Sequence, residues 1–276
     1  MRPEPGDNEE PGSNRSARPA AAFGAGALIG TLGGLIGLGG AEFRLPLLIG
    51  VFRFAALEAV ILNKAMSLVV VTSALPFRTQ AVPFAVIAAH WTIIANLLGG
   101  SLLGAWFGAG WATRLRAKTL YGVIAVLLVL IAGALLVGHD AAVDGHAMIG
   151  GATQMVAGVA AGFGIGVVAS LLGVAGGELL IPTLVLLFGV DIKLAGSLSL
   201  AISLPTMLVG FTRYSRDRSF AVLGRNRLIV IVMAAGSIVG SFVGGRLLGL
   251  VPSTVLLPLL AIILLVSAVK VWRHRD

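Results

Sequence analysis

Two short segments combine glycines, a carboxylate and a proline inside apolar sequence, and they are near copies of each other. The first is GLGGAEFRLP at residues 37–46, and the second is GVAGGELLIP at residues 173–182. Two glycines, the glutamate and the proline of the first copy each recur 136 residues later. Helix breaks and ionisable groups are both costly inside a lipid bilayer and mark functional sites there. The paired segments are therefore the first candidates for a binding site.

The chemistry favoured by these segments is anion binding. A break in a membrane helix exposes backbone N–H groups at the start of the next helix, and this positive helix end attracts an anion. Arg44 and Lys64 could add full positive charges. The planar guanidinium of arginine suits bidentate binding to two oxygens of an oxyanion. Further polar residues form two repeat-equivalent pairs with the four-residue spacing of one helix face. The substrate-binding candidates are Gly40, Arg44, Asn63, Lys64, Ser67, Gly176, Gly177, Ser199 and Ser203.

The two repeated glutamates, Glu42 and Glu178, need a separate role, because an ionised carboxylate repels an anion. Burial favours the neutral form of a carboxyl group, so proton uptake and release near neutral pH are feasible. The hypothesis is that both residues couple proton movement to substrate movement. The structural alternatives are that Glu42 pairs with Arg44 or Lys64, and that Glu178 caps the half-helix that follows it.

The two candidate cations also have structural alternatives. Arg44 could extend its side chain to the membrane surface, as long basic side chains do near helix ends. Lys64 could pair with Glu58. Each has a leucine as its equivalent in the second copy, so a cationic site would be asymmetric. No metal site is expected, because the histidines lack neighbouring ligands.

Composition identifies the class of protein that must position these residues. The chain is 57% hydrophobic and only 12% charged, and it contains 38 glycines. These values are typical of a polytopic helical membrane protein and exclude an ordinary soluble domain. Without cysteine there is no disulfide, thiolate ligand or thiol nucleophile. The net charge of +8 comes from basic residues between apolar runs, which is typical of orientation signals and not of nucleic-acid binding.

The elements are predicted to be membrane helices. The first apolar run of each half, at 20–52 and 148–188, is too long for one span and contains a glycine-proline break. Residues 1–19 are polar and are predicted to be a disordered cytoplasmic tail without a cleaved signal peptide. The remaining predicted helices are 57–77, 84–111, 119–137, 194–212, 228–250 and 254–272.

The repeat extends beyond the break segments and predicts the topology. Glycines at 100, 104 and 108 recur at 236, 240 and 244, where small residues let helix backbones approach closely. The basic connections at 114–118 and 213–227 and the C-terminus should be cytoplasmic, whereas the connection at 138–147 lacks Lys and Arg and should be external. Equivalent loops then face opposite sides, so the halves are predicted to be inverted repeats. The predicted divisions are a tail at 1–19, repeats at 20–137 and 148–276, and an external connection at 138–147.

These residues carry a family resemblance. The GxGGxxxxxP and GxxGGxxxxP segments resemble the duplicated glycine-rich signature of the sulfite exporter TauE/SafE family. So does the polar Asn63-Lys64 helix after the first copy, which is matched by Ser197-Leu198-Ser199 after the second. The resemblance implies an integral membrane permease that exports small sulfur-containing anions such as sulfite or sulfonates. It also implies that there is no bound cofactor and no ATPase domain.

The sequence is therefore interpreted as an all-helical secondary transporter that works by alternating access in the plasma membrane, the bacterial inner membrane, with both termini cytoplasmic. The expected partners are a small anion and the lipid bilayer, without nucleic acid, and a homo-oligomer is left open. One alternative is a channel for cations or anions with Glu42 and Glu178 lining the pore. An intramembrane enzyme lacks a nucleophile and base set. A binding scaffold without transport is a further alternative.

Overall fold

The protein is a helical bundle. The computed structural model describes residues 13–36, 40–79, 82–116, 118–120, 122–126, 129–130 and 150–247, with single positions at 265, 269 and 272. The described residues contain no strand, and the predicted all-α membrane fold is confirmed. The predicted external connection at 138–147 and most of the last predicted helix lie outside the described residues.

The helices follow the predicted order. They are α1 (Ser13–Ile36), α2 (Ala41–Gly50), α3 (Ala56–Arg78), α4 (Phe84–Ala89), α5 (Trp91–Ala112), α6 (Gly151–Leu172), α7 (Gly177–Phe188), α8 (Ile192–Tyr214), α9 (Val222–Arg225) and α10 (Arg227–Leu247), with a 3₁₀ turn at Arg218–Ala221. Among the described residues, five helices are long and apolar enough to cross a bilayer, namely α3, α5, α6, α8 and α10. The described part of the predicted helix at 119–137 is also helical.

Two boundaries differ from the prediction. Helix α1 begins at Ser13, so residues 13–19, which were assigned to the tail, form its first turns. Alanine and arginine have high helix propensity, and a helix can continue past the end of its apolar span. The predicted run at 84–111 is divided at His90, whose backbone leaves the helical region between α4 and α5. Apolar composition alone does not reveal such a break.

The long first run of each half is a hairpin of one long and one short helix. Gly40 and Gly176, immediately before α2 and α7, both adopt left-handed backbone angles (φ of 65° and 84°), which glycine reaches without strain. Helix α7 then returns beside α6. This is shown by Gln154 Nε2, near the start of α6, which donates to the carbonyl of Leu187 near the end of α7 at 2.7 Å. Its 12 residues measure about 18 Å, less than the roughly 30 Å of a bilayer core.

Glycine faces bring the two halves together. Gly100, Gly104 and Gly108 of α5 lie against the backbone of α6 at Val159, Phe163 and Val167. The equivalent contacts recur between α10 and α1, where three glycines lie against the α1 backbone. The three pairs are Gly236 with Phe23, Gly240 with Ala27, and Gly244 with Thr31. Every one of these contacts recurs at the offset of 136 residues, and the predicted close approach of the backbones is confirmed.

The equivalent helices α3 and α8 cross in opposite directions. The side chain of Lys64, near the start of α3, lies against Gly210 near the end of α8, and Arg78 at the end of α3 contacts Lys193 at the start of α8. Two equivalent helices that run antiparallel are related by a two-fold axis perpendicular to them. At one end of the bundle, Arg213 lies against Gly110. We call this end, with residues 113–116 and 213–227, the arginine-rich end.

Replacing Gly104 by Ala should destabilise the bundle, because the added Cβ would clash with the carbonyl oxygen of Phe163. Overpacking of this kind costs about 2 kcal/mol or more, so the thermal unfolding temperature in detergent should fall. The matched control is Gly99→Ala, where nothing lies within 4 Å of the new methyl group. Equal unfolding temperatures for the two variants would contradict the close contact between α5 and α6.

Candidate functional site: the helix breaks and the polar faces of α3 and α8

Asn63 joins the two repeats at their helix breaks. Its side-chain Nδ2 donates to the carbonyl of Ala41 at 3.0 Å and to the carbonyl of Leu172 at 3.2 Å. Ala41 is the first residue of α2, and Leu172 is the last residue of α6. The side chain is completely buried. One amide group therefore donates to backbone carbonyls at both breaks, and at Leu172 it bonds one of the carbonyls that the end of a helix leaves without an intrahelical donor.

Arg44 lies against the same face of α3. Its Nη1 donates to Ser67 Oγ at 3.1 Å and to Asn63 Oδ1 at 3.4 Å. The guanidinium is completely buried and does not extend to the membrane surface, so the surface alternative for this residue is wrong. Arg44, Asn63 and Ser67, three of the predicted candidates, form one hydrogen-bonded group.

Lys64 reaches across to the second repeat. Its Nζ donates to the Ala169 carbonyl at 3.3 Å and to Ser170 Oγ at 3.4 Å, both in the last turn of α6. The negative end of the α6 dipole favours a cation at this place. The alternative pairing with Glu58 is wrong, because Glu58 forms an ion pair with Arg225. Lys64 is also completely buried.

The two candidate serines of α8 are buried in equivalent positions of the second repeat. Ser203, the equivalent of Ser67, donates to the Ala175 carbonyl in the second break at 2.7 Å. Ser199, the equivalent of Asn63, donates to the Gly196 carbonyl at 2.8 Å. The polar face of α8 therefore lies beside the second break, as the polar face of α3 lies beside the first.

The candidate glycines lie at the helix breaks that the sequence predicted. Gly40 and Gly176 are buried at the two left-handed turns, and Gly177 is the first residue of α7. Glu42 and Glu178 each occupy the second position of their short helix. The side chains of both glutamates lie outside the described part of the structure, so their predicted proton-coupling role stays a prediction.

Two buried residues of this region are not among the candidates from the sequence, Arg78 and Tyr214. They occupy equivalent positions, at the last residues of α3 and α8. Arg78 Nη1 donates to the carbonyls of Gly34 and Leu35 at 3.1 and 3.2 Å. Tyr214 Oη donates to the carbonyl of Ser170, the equivalent of Gly34, at 2.7 Å. The 136-residue spacing relates the two positions, but it does not reveal that both side chains turn inward.

Arg78 makes further contacts that fasten the first repeat to the second. Its Nε donates to Ser197 Oγ at 3.2 Å, and its Nη2 donates to the Lys193 carbonyl at 3.1 Å. Arg44, Lys64 and Arg78 thus place three buried cations inside an apolar bundle. Burying charge is costly unless it is paired or hydrogen-bonded, which marks these positions as functional candidates. Among the described residues, no group of three or more His, Asp or Glu side chains could hold a metal ion.

Apolar helices of spanning length, paired helix breaks and a buried polar group between them define a polytopic integral membrane protein with an internal polar site. The sequence profile of the sulfite exporter TauE/SafE family matches residues 22–271, and the chain belongs to this family. The predicted resemblance is confirmed. No curated protein and no solved structure matches the chain. The family consists of membrane transporters, so the chain is a membrane transporter.

Replacing Asn63 by Ala should lower the stability of the protein more than an ordinary loss of one hydrogen bond. The change leaves the buried Leu172 carbonyl at the end of α6 without this donor and removes the second bond to Ala41, and an unsatisfied buried carbonyl costs about 1–3 kcal/mol. Thermal unfolding in detergent measures the loss. The control is Asn226→Ala, because the hydrogen bond that Asn226 Nδ2 donates among the described residues is local, to Val222 in its own turn. Similar unfolding temperatures would show that Asn63 does not join the breaks.

Proposed function

We propose that the chain is a secondary transporter that exports small sulfur-containing anions, such as sulfite or a sulfonate, by alternating access. The observation that carries the proposal is the buried group of Arg44, Asn63 and Ser67 beside the start of α2. Membership of the TauE/SafE family supports the substrate class. A sulfite or sulfonate group offers three oxygens, and a planar guanidinium binds two of them at once.

Substrate binding is proposed to replace the groups that accept hydrogen bonds from Arg44. In the structure, without substrate, Arg44 Nη1 donates to two neutral acceptors, the Ser67 hydroxyl and the Asn63 side-chain carbonyl. An oxyanion that enters this group takes the place of these acceptors, and a charged acceptor binds a guanidinium more strongly. The Ser67 hydroxyl is then released to donate to the same anion. The first turn of α2 adds the positive end of its helix dipole.

The two halves are proposed to be inverted in the membrane. This is supported by the antiparallel crossing of the equivalent helices α3 and α8. Both basic connections, at 113–116 and 213–227, belong to the arginine-rich end, which the distribution of Lys and Arg assigns to the cytoplasm. Both chain termini then belong to the cytoplasmic side of a bacterial inner membrane. The residues between the repeats, 138–147, belong to the outside.

Arg78 and Tyr214 are proposed to close the two ends of the transport path. Arg78 ties the C-terminal carbonyls of α1 to α3 and α8, and Tyr214 ties the C-terminal carbonyls of α6 to α8. The two contacts lie at opposite ends of the crossed pair of helices α3 and α8. Ser67 and Ser203 between them are at most 1% exposed, which supports the proposal of closures at both ends. Alternating access requires that one closure opens while the other holds.

Transport is tested with purified protein in liposomes. Uptake of sulfite, sulfonates, carboxylates and metal cations is measured at two pH values. Arg44→Lys should lower sulfite uptake at least about tenfold, because lysine keeps the charge but cannot form the bidentate hydrogen bonds of a guanidinium. Arg53→Lys, at an exposed position, is the matched control. Saturable uptake supports a transporter, whereas high unitary conductance or selective flux of metal cations would assign a channel instead.

Proton coupling is tested with the double variant Glu42→Gln and Glu178→Gln. The amide keeps the size of the side chain but cannot exchange a proton, so sulfite movement should no longer depend on a pH gradient across the liposome membrane. Internal pH, followed with a trapped dye, should also stop changing during uptake. If the double variant still moves protons together with substrate, the coupling role of the glutamates is wrong.

The closures are tested by cysteine accessibility, since the chain has no cysteine of its own. A single Ser203→Cys reporter is labelled with a membrane-impermeant thiol reagent from each side. Tyr214→Phe should raise labelling from the arginine-rich side, and Arg78→Gln should raise it from the opposite side. Equal labelling of the two variants from both sides would contradict separate closures.

A further inference from the structure

Two arginines lie against one tryptophan at the arginine-rich end of the bundle. The guanidinium carbons of Arg213 and Arg216 lie 5.0 and 5.1 Å from the centre of the Trp106 ring. Gly110, one turn further along α5, leaves space for Arg213, because an added Cβ would lie 3.1 Å from two of its nitrogens. The ring attracts both cations and holds them at one place.

The guanidinium group of Arg213 has an unpaired donor. Arg213 Nε is buried and has no hydrogen-bond partner among the described residues. The nearest carboxylate in the chain sequence, that of Asp217, accepts from the backbone N–H of Ser219 at 2.8 Å. In the described part of the chain, the ion pair at this end joins Glu58 to Arg225 instead. A stacked pair of cations with an unpaired donor on Arg213, and without an ion pair to any described carboxylate, suits an external anion.

The surroundings indicate where that anion comes from. On α5, the side chains of Leu103, Phe107 and Trp111 are more than half exposed and form an apolar surface beside Trp106. In a membrane protein such a surface contacts acyl chains, and tryptophans near helix ends lie at the level of the lipid headgroups. The basic residues that follow α5 and α8 are mostly exposed. A negative group here would therefore have its apolar part in the bilayer and its charge beside the arginines.

We propose that Arg213, Arg216 and Trp106 form a binding site for the phosphate of an anionic phospholipid. The two guanidinium groups donate to the phosphate oxygens, and the acyl chains lie along the exposed apolar surface of α5. Trp106 acts by holding the guanidinium planes in place, so the site needs the indole as well as the charges. This site is separate from the buried group at Arg44, and it does not depend on which substrate the protein carries.

The test measures the binding of phosphatidylglycerol to the purified full-length chain in detergent. Binding is followed by native mass spectrometry and by the rise in unfolding temperature on lipid titration. Phosphatidylcholine, which has no net charge, is the control lipid. The double variant Arg213→Gln and Arg216→Gln should bind phosphatidylglycerol at least about tenfold more weakly, since each basic residue near an anionic lipid contributes about a fivefold factor. Trp106→Leu should also weaken binding, although it removes no charge. The charge-matched control is the double variant Arg218→Gln and Arg227→Gln, at exposed positions with no ring contact among the described residues.

The results distinguish a specific lipid site from diffuse attraction to basic residues and from a site for a free anion. Selective loss of phosphatidylglycerol binding in the first double variant and in Trp106→Leu, with the control near wild type, supports the lipid site. Equal losses in both double variants, with no effect of Trp106→Leu, would overturn it in favour of diffuse attraction. Equal stabilisation by inorganic phosphate or glycerol phosphate would also overturn it, because a free anion would then be the ligand. Sulfite uptake is measured on the same variants, so a failed transport proposal remains distinguishable from a failed lipid site.

Discussion

Two broken helices meet inside this apolar bundle, and the centre of the protein depends on the buried polar side chains that donate to their backbone carbonyls. Asn63 binds the carbonyls of Ala41 and Leu172, which belong to different repeats. Tyr214 and Lys64 bind carbonyls in the last turn of α6, and Arg78 does the same for α1. Because the donors come from α3 and α8, the crossing of these two helices holds both breaks. The residues that stabilise the breaks are thus the same ones that surround the candidate site.

The repeat of 136 residues holds for the glycine contacts but not for charge. The three glycine contacts between α5 and α6 correspond one by one to those between α10 and α1. By contrast, Arg44 and Lys64 have leucines as equivalents, and Arg78 has the neutral Tyr214 as its equivalent. Because Arg44, Lys64 and Arg78 all belong to the first repeat, the proposed anion site is asymmetric.

Much of this arrangement could be predicted from the sequence, because the repeat is regular and membrane helices have a strong compositional signal. Helix order, both breaks and the close contacts of the glycine series were all predicted from spacing. The positions of Arg78 and Tyr214 were not, since a polar residue at a helix end looks the same whether it turns inward or toward the membrane surface. The inward orientation of Arg44 depends on α2 folding back against α3, and only the three-dimensional structure reveals this. The break at His90 was missed because both flanking segments are apolar.

The central claim is that the group formed by Arg44, Asn63 and Ser67 receives the transported anion. The most direct measurement is an experimental structure of the protein with selenite, whose selenium reports its own position by anomalous scattering and whose shape follows that of sulfite. We expect a selenium peak beside the start of α2, with selenite oxygens within hydrogen-bonding distance of the Arg44 guanidinium. Selenium bound only at the arginine-rich end, with the hydrogen bonds of Arg44 to Asn63 and Ser67 unchanged at saturating selenite, would contradict the claim.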